Sequence, residues 1–133
     1  MDVLDRRALV AGTLTALAVI VPVTLLGELV GAGDEDTNLV FAFLVPVLIG
    51  FGAGAYVAAR RAVAGPLTNG ALAAVAAFAL VQGLGLVRRL VAGEPISLAS
   101  IAFAALLAYS CGLVGAVIAT RRRPSPARRH PLR

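Results

Sequence analysis

A chain of 133 residues with 59% hydrophobic and only 14% charged residues is too poor in charge to coat a soluble domain, whose surface carries roughly a quarter or more Asp, Glu, Lys and Arg. Its charges come in clumps between long uncharged runs, and mean hydropathy is +0.92, the pattern of a polytopic membrane protein of one domain. The net charge of +5 is carried by arginine without any lysine. These arginines flank apolar runs, so membrane topology accounts for the basic excess and argues against a nucleic-acid partner.

The chain opens with a short charged stretch holding Asp2, Asp5, Arg6 and Arg7. The first predicted span covers about residues 8–30, with Pro22 near its middle, where neighbouring helices must make good a lost backbone donor. It exceeds the about 7–15 apolar residues of a cleaved signal, so it reads as a retained helix. GAGDEDTN at 31–38 is a polar turn with three acids, in which Asp36 or Thr37 is placed to cap the next helix.

The second span, 39–59, reads LVFAFLVPVLIGFGAGAYVAA and stops at Arg60 and Arg61; about twenty uncharged residues suffice to cross a hydrocarbon core of ~30 Å. Small residues recur at steps of four: Ala42, Pro46, Gly50, Gly54 and Ala58. A neighbouring helix can approach such a face at backbone distance. The stripe serves either packing inside the monomer or docking of a partner. Gly50, Gly52 and Gly54 lie inside this span, which excludes a phosphate-binding loop, since that needs a preceding strand and an aqueous ligand.

Gly65-Pro66 marks the next turn, with Thr68 or Asn69 as the expected cap of a third span over 70–87 that closes at Arg88 and Arg89. Gln82 in this span cannot satisfy its amide alone and is expected to face the bundle as interhelical glue. After a Gly/Pro turn at 91–97, a fourth span covers 98–120. It carries a second small-residue stripe, Ala104, Ala108, Gly112 and Ala116, with Cys111 and Gly115 beside it. Thr13, Thr15, Thr24 and Ser110 can all bond the preceding turn of their own helix. Residues 1–120 thus read as an all-α, four-transmembrane-helix bundle, and 121–133 as a disordered basic tail rich in proline. Arg121, Arg122, Arg123, Arg128 and Arg129 make that tail either a plain topology anchor or a contact for anionic phospholipids.

With the N-terminus inside, ten arginines fall on the cytoplasmic side and only Arg88 and Arg89 outside, which places both termini in the cytoplasm. The arginine-only, alanine-rich composition points to a GC-rich bacterial genome, hence to the cell membrane. Gly12-x-Leu14 matches Gly70-x-Leu72, and GAYVAARR matches GAVIATRR, aligning Gly54 with Gly115. The chain therefore reads as two hairpins repeated about an axis along the membrane normal, or as chance matches between alanine-rich helices.

Little here supports chemistry. His130, the only histidine, lies in the tail, Cys111 and Ser110 have no base beside them, and no metal or cofactor is implied. A drug-transporter reading needs a carboxylate deep in the first helix. Glu28 lies about 31 Å beyond Arg7 along the axis, at the outer interface, and the chain has no Trp. Glu28, with Glu94 as alternative, is placed instead to pair with Arg88 or Arg89 at the outer rim.

The run from Gly50 gives glycines, A-x-x-A-A-R-R-A, a glycine turn and a helix opening N-G-A-L. This resembles the uncharacterised small four-helix bacterial membrane proteins of the YrzE-like kind over about a third of the chain, although the proline-rich tail departs from them. The resemblance implies a four-helix integral membrane protein and carries over no site residues. The functional expectation is a non-enzymatic packing or accessory subunit, in a homo-oligomer or a larger membrane complex. The alternative is a small oligomeric transporter or channel.

Overall fold

The computed structural model describes residues 3–31 and 37–122. It is all-α, with helices α1 (Arg6–Leu29), α2 (Thr37–Arg61), α3 (Pro66–Ala92) and α4 (Leu98–Arg121) and no strand among the described residues. All four are long and apolar enough to cross a membrane.

The helix ends follow from local chemistry. The Asp5 carboxylate accepts from the backbone N–H groups of Arg7 (3.0 Å) and Ala8 (3.2 Å), so α1 starts two residues before the expected span. Pro22 sits inside α1. The expected cap of α2 by Asp36 or the Thr37 side chain lies outside what the structure describes. At α3 the expected cap is overturned: Gly65 is the N-cap, in the left-handed region at φ +56°, and Pro66 follows at the first helical position. A side chain at 65 would also meet the Val3 side chain at 2.5 Å. Asn69 is thereby freed for another task. At its other end α3 runs five residues beyond Val87 before Gly93, at φ +68°, turns the chain. The N–H groups of Gly93 and Glu94 return to the carbonyls of Leu90 (3.3 Å) and Arg89 (3.0 Å). Arg88 and Arg89 therefore belong to the last turns of α3. The Ser97 hydroxyl caps α4 by accepting from Ser100 N–H at 3.3 Å.

α2 and α3 form the central pair. α1 packs against both on one side and α4 against both on the other, and α1 does not touch α4. A two-fold exchanging the hairpins would turn the α2–α3 contact into an α4–α1 contact, so the hairpins are not exchanged by a two-fold. A repeat is nevertheless present in the packing. A Cβ at Gly12 would meet Ala58 at 2.5 Å, and one at Gly54 would meet Ala16 at 2.6 Å. In the second hairpin a Cβ at Gly70 would meet Ala116, and one at Gly112 would meet Ala74, both at 2.6 Å. All four residues of the second set lie 58 positions after their counterparts, which aligns Gly54 with Gly112 rather than Gly115. Gly115 instead stands against the Gly52 backbone, where α4 crosses α2.

Burial is uneven along the bundle. At the basic end, near Arg6, Arg7, Arg60, Arg61 and Arg121, the core is almost all alanine: Ala8, Ala16, Ala55, Ala58, Ala59, Ala73, Ala74, Ala77, Ala108, Ala116 and Ala119. Ile20 and Asn69 are the largest fully buried side chains. Toward the far end, no residue of α3 beyond Ala77, of α4 before Ala108 or of α2 before Gly50 is buried, apart from residues not described. The Phe51 and Phe78 rings, 6.3 Å apart between centroids, mark the boundary between the two halves.

Candidate functional site

The small-residue stripes are consumed within the bundle at the basic end. On α2, Gly54 and Ala58 lie against Gly12 and Ala16, and Gly50 against Val19 and Ile20. Pro46 is half-buried and Ala42 exposed. On α4, Gly112 and Ala116 are buried toward α3 and Ala108 is buried in the central cluster with Phe51, Ala55, Ala74 and Ala77, while Ala104 is half-buried. Removing the side chain at these positions lets helix backbones approach until dispersion contacts hold them together, which is the force available where lipid is as apolar as leucine.

A polar latch closes the same end. Asn69 is fully buried. Its Oδ1 accepts from Asp5 N–H at 2.9 Å, and its Nδ2 donates toward the carbonyls of Val3 (2.8 Å), Ala64 (2.9 Å) and Gly65 (3.0 Å). One amide thus ties the segment before α1 to the turn between α2 and α3. The residue was expected only as a helix cap. The signal that could have found it is its register: Asn69, Ala73 and Ala77 are spaced by four along the small buried face of α3. Thr13 also reaches across helices, donating to the Ala73 carbonyl at 3.4 Å, whereas Thr15, Thr24 and Ser110 bond their own preceding turns at 2.8 Å.

Clefts open laterally between the helices, among them one of about 360 Å³ between α3 and α4 lined by Leu67, Leu72, Tyr109 and Leu113. One of about 580 Å³ runs between α2 and α4 and has small residues, Gly52, Ala53 and Gly115, in its floor. Val45, Ile49, Val114 and Ile118 wall it, and Cys111, Ser110 and Tyr56 also line it. Arg60 is held at its basic end, with Nη1 donating to the Tyr56 hydroxyl at 3.4 Å and the guanidinium 5.8 Å from the Tyr56 ring centre. A second cleft, about 520 Å³, lies at the basic end of α1 and α2 between Arg6, Arg7 and Arg61. A third, about 460 Å³, lies between α1 and α3 at the far end.

At the mouth of the third cleft the Arg88 guanidinium pairs with the Glu28 carboxylate, both side chains more than half exposed. Arg89 and Glu94 form no ion pair with a described residue. Gln82 is half-buried and, with Thr24, lines a partly open pocket of about 140 Å³ among Leu48, Phe51, Phe78 and Ala104. Of the arginines assigned to the tail, Arg121 and Arg122 end α4 exposed; Arg123, Arg128 and Arg129 lie outside the described residues.

No protein-family model, no curated protein and no solved structure matches the chain.

Proposed function

We propose that the protein is a non-catalytic subunit of the bacterial cell membrane whose role is to pack, in the first place with a second copy of itself, through the cleft between α2 and α4. The observation that carries this reading is the floor of that cleft. At the basic end internal packing uses up the small residues of the stripes, yet Gly52 and Ala53 remain accessible between bulky walls. Gly52 and Gly115 stand side by side, so the holes at Gly52 and Ala53 lie at the membrane depth of the knob at Val114. In a parallel two-fold dimer each residue meets neighbours at its own depth, so knob meets hole and Cys111 faces Cys111 of the second copy. A bifunctional maleimide applied to the full chain in liposomes should then give a covalent dimer. That dimer should vanish in Cys111→Ala and fall strongly in Ala53→Trp, which fills the floor. A chain that stays monomeric under cross-linking and in mild detergent would overturn the reading.

The arginine distribution supports both termini in the cytoplasm, with the tail lying against anionic headgroups. A reporter fused after Arg133 should read cytoplasmic, and a periplasmic reading would reverse the topology. A second reading, a small oligomeric transporter or channel, is favoured by the α1–α3 cleft, in which Thr24 and an ion pair meet an apolar wall. Solute flux in liposomes that Glu28→Gln abolishes would select it, and the absence of any flux would remove it.

A further inference from the structure

We infer that the cleft formed by Arg6, Arg7 and Arg61 is a binding site for the headgroup of an anionic phospholipid, with one acyl chain lying along Val10 and Leu14. The three arginines come from two helices, the first turn of α1 and the last of α2, and line a single cleft of about 520 Å³, within the size range of small-molecule sites. None of the three forms an ion pair with a described residue. The nearest carboxylate on α1, Asp5, is turned to the N–H groups of Arg7 and Ala8, which caps the helix and leaves the guanidiniums as the donors for an anion. Arg60, next to Arg61, is held by Tyr56 and does not line this cleft.

The rest of the lining identifies the ligand. Below the arginines the wall is Val10, Ala11 and Leu14, and Val10 and Leu14 are 58% and 60% exposed. Thr15 contributes no free hydroxyl hydrogen, because it donates to the Ala11 carbonyl at 2.8 Å. An occupant must therefore offer a phosphate at one end and hydrocarbon at the other. A soluble phosphate would use only the rim. Arginine suits the role because its planar fork binds phosphate oxygens in pairs.

The test counts lipids bound to the full chain in mild detergent by native mass spectrometry, titrating phosphatidylglycerol, phosphatidylcholine and soluble glycerol phosphate. Phosphatidylglycerol should bind in preference to phosphatidylcholine. Each of Arg6→Gln, Arg7→Gln and Arg61→Gln should lower that preference about fivefold, the equivalent of about 1 kcal/mol per arginine near a charged surface. Arg89→Gln, at the opposite end, should leave it unchanged. Leu14→Trp, which blocks the acyl wall with every charge in place, should also weaken phosphatidylglycerol binding, and it covers the case in which losing an arginine disturbs insertion. Competition by glycerol phosphate at the lipid's own concentration would make this a soluble-anion site and overturn the lipid assignment. Equal losses from Arg89→Gln and Arg61→Gln, or unchanged binding in Leu14→Trp, would overturn the site.

Discussion

On one face of α4, Ala116 is buried against Gly70 and Gly112 against Ala74, whereas Ala104, three turns away, only half fills its surroundings and borders a pocket of about 140 Å³. The same contrast runs down α2, from Ala58 and Gly54 against Gly12 to the exposed Ala42. One repeating pattern of small residues therefore has two outcomes. At the basic end both partners are small, backbones meet and the faces close. At the far end small residues face larger side chains, as Gly27 faces the Phe43 ring, or nothing, and few residues are buried. A small-residue stripe indicates where close approach is sterically open, and its counterpart on the facing helix decides whether the approach happens.

The largest expected effect is at Gly54. A Cβ there would lie 2.5 Å from the Gly12 carbonyl oxygen, and backbone cannot swing aside as a side chain does. Gly54→Leu should yield no folded monomer in detergent, beyond the about 1–3 kcal/mol usual for overpacking. Ala42→Leu, on the same stripe, should melt like the parent chain. A tolerated Gly54→Leu would break the comparison at its strongest point.

Next comes the latch. Asn69→Ala leaves the Asp5 N–H and the Val3 and Ala64 carbonyls without the amide that bonds them and should lower stability by about 2–4 kcal/mol in detergent melting. Gln82→Leu, the corresponding change at the far end, should cost no more than about 1 kcal/mol, because the Gln82 side-chain amide makes no hydrogen bond within the described residues. Similar losses from the two would mean that the far half is held by polar contacts as firmly as the basic half.

The smallest effect belongs to the rim. Glu28 and Arg88 are paired but their side chains are 51% and 69% exposed, so Arg88→Ala should shift stability by about 0–1 kcal/mol. Glu28→Arg should destabilise more than Glu28→Ala, and adding Arg88→Glu to Glu28→Arg should restore part of the loss. Equal melting of Glu28→Arg and Glu28→Ala would show that the pair holds nothing together.

Much of the architecture was legible in the sequence because each span carries its own signal. Uncharged length and flanking arginines locate a helix without reference to its neighbours, and the four spans fall within a few residues of the helices. The ends that shifted did so for local reasons: Asp5 capped α1 early, Gly65 displaced Asn69 as the cap of α3, and only Gly93 stopped α3. What depends on two distant segments was hidden. The Asn69 amide binds residues 64 and 66 positions away, and nothing in the stretch around it says so. The repeat was visible as matching glycines, but its register on α2 and α4 was drawn from the shared GA–R-R ending. The interface selects Gly112 because Gly112, and not Gly115, meets the counterpart of Ala16.

The division into a closed and an open half is tested most directly by one pair of substitutions on α4, Ala116→Leu and Ala104→Leu, followed by thermal unfolding in the same detergent. Ala116 is fully buried against a glycine, so leucine there should destabilise by about 1–3 kcal/mol or more. At Ala104 the added carbons enter the existing pocket, and the melting temperature should hold or rise. Equal losses at the two positions, or a tolerated leucine at 116, would contradict the division.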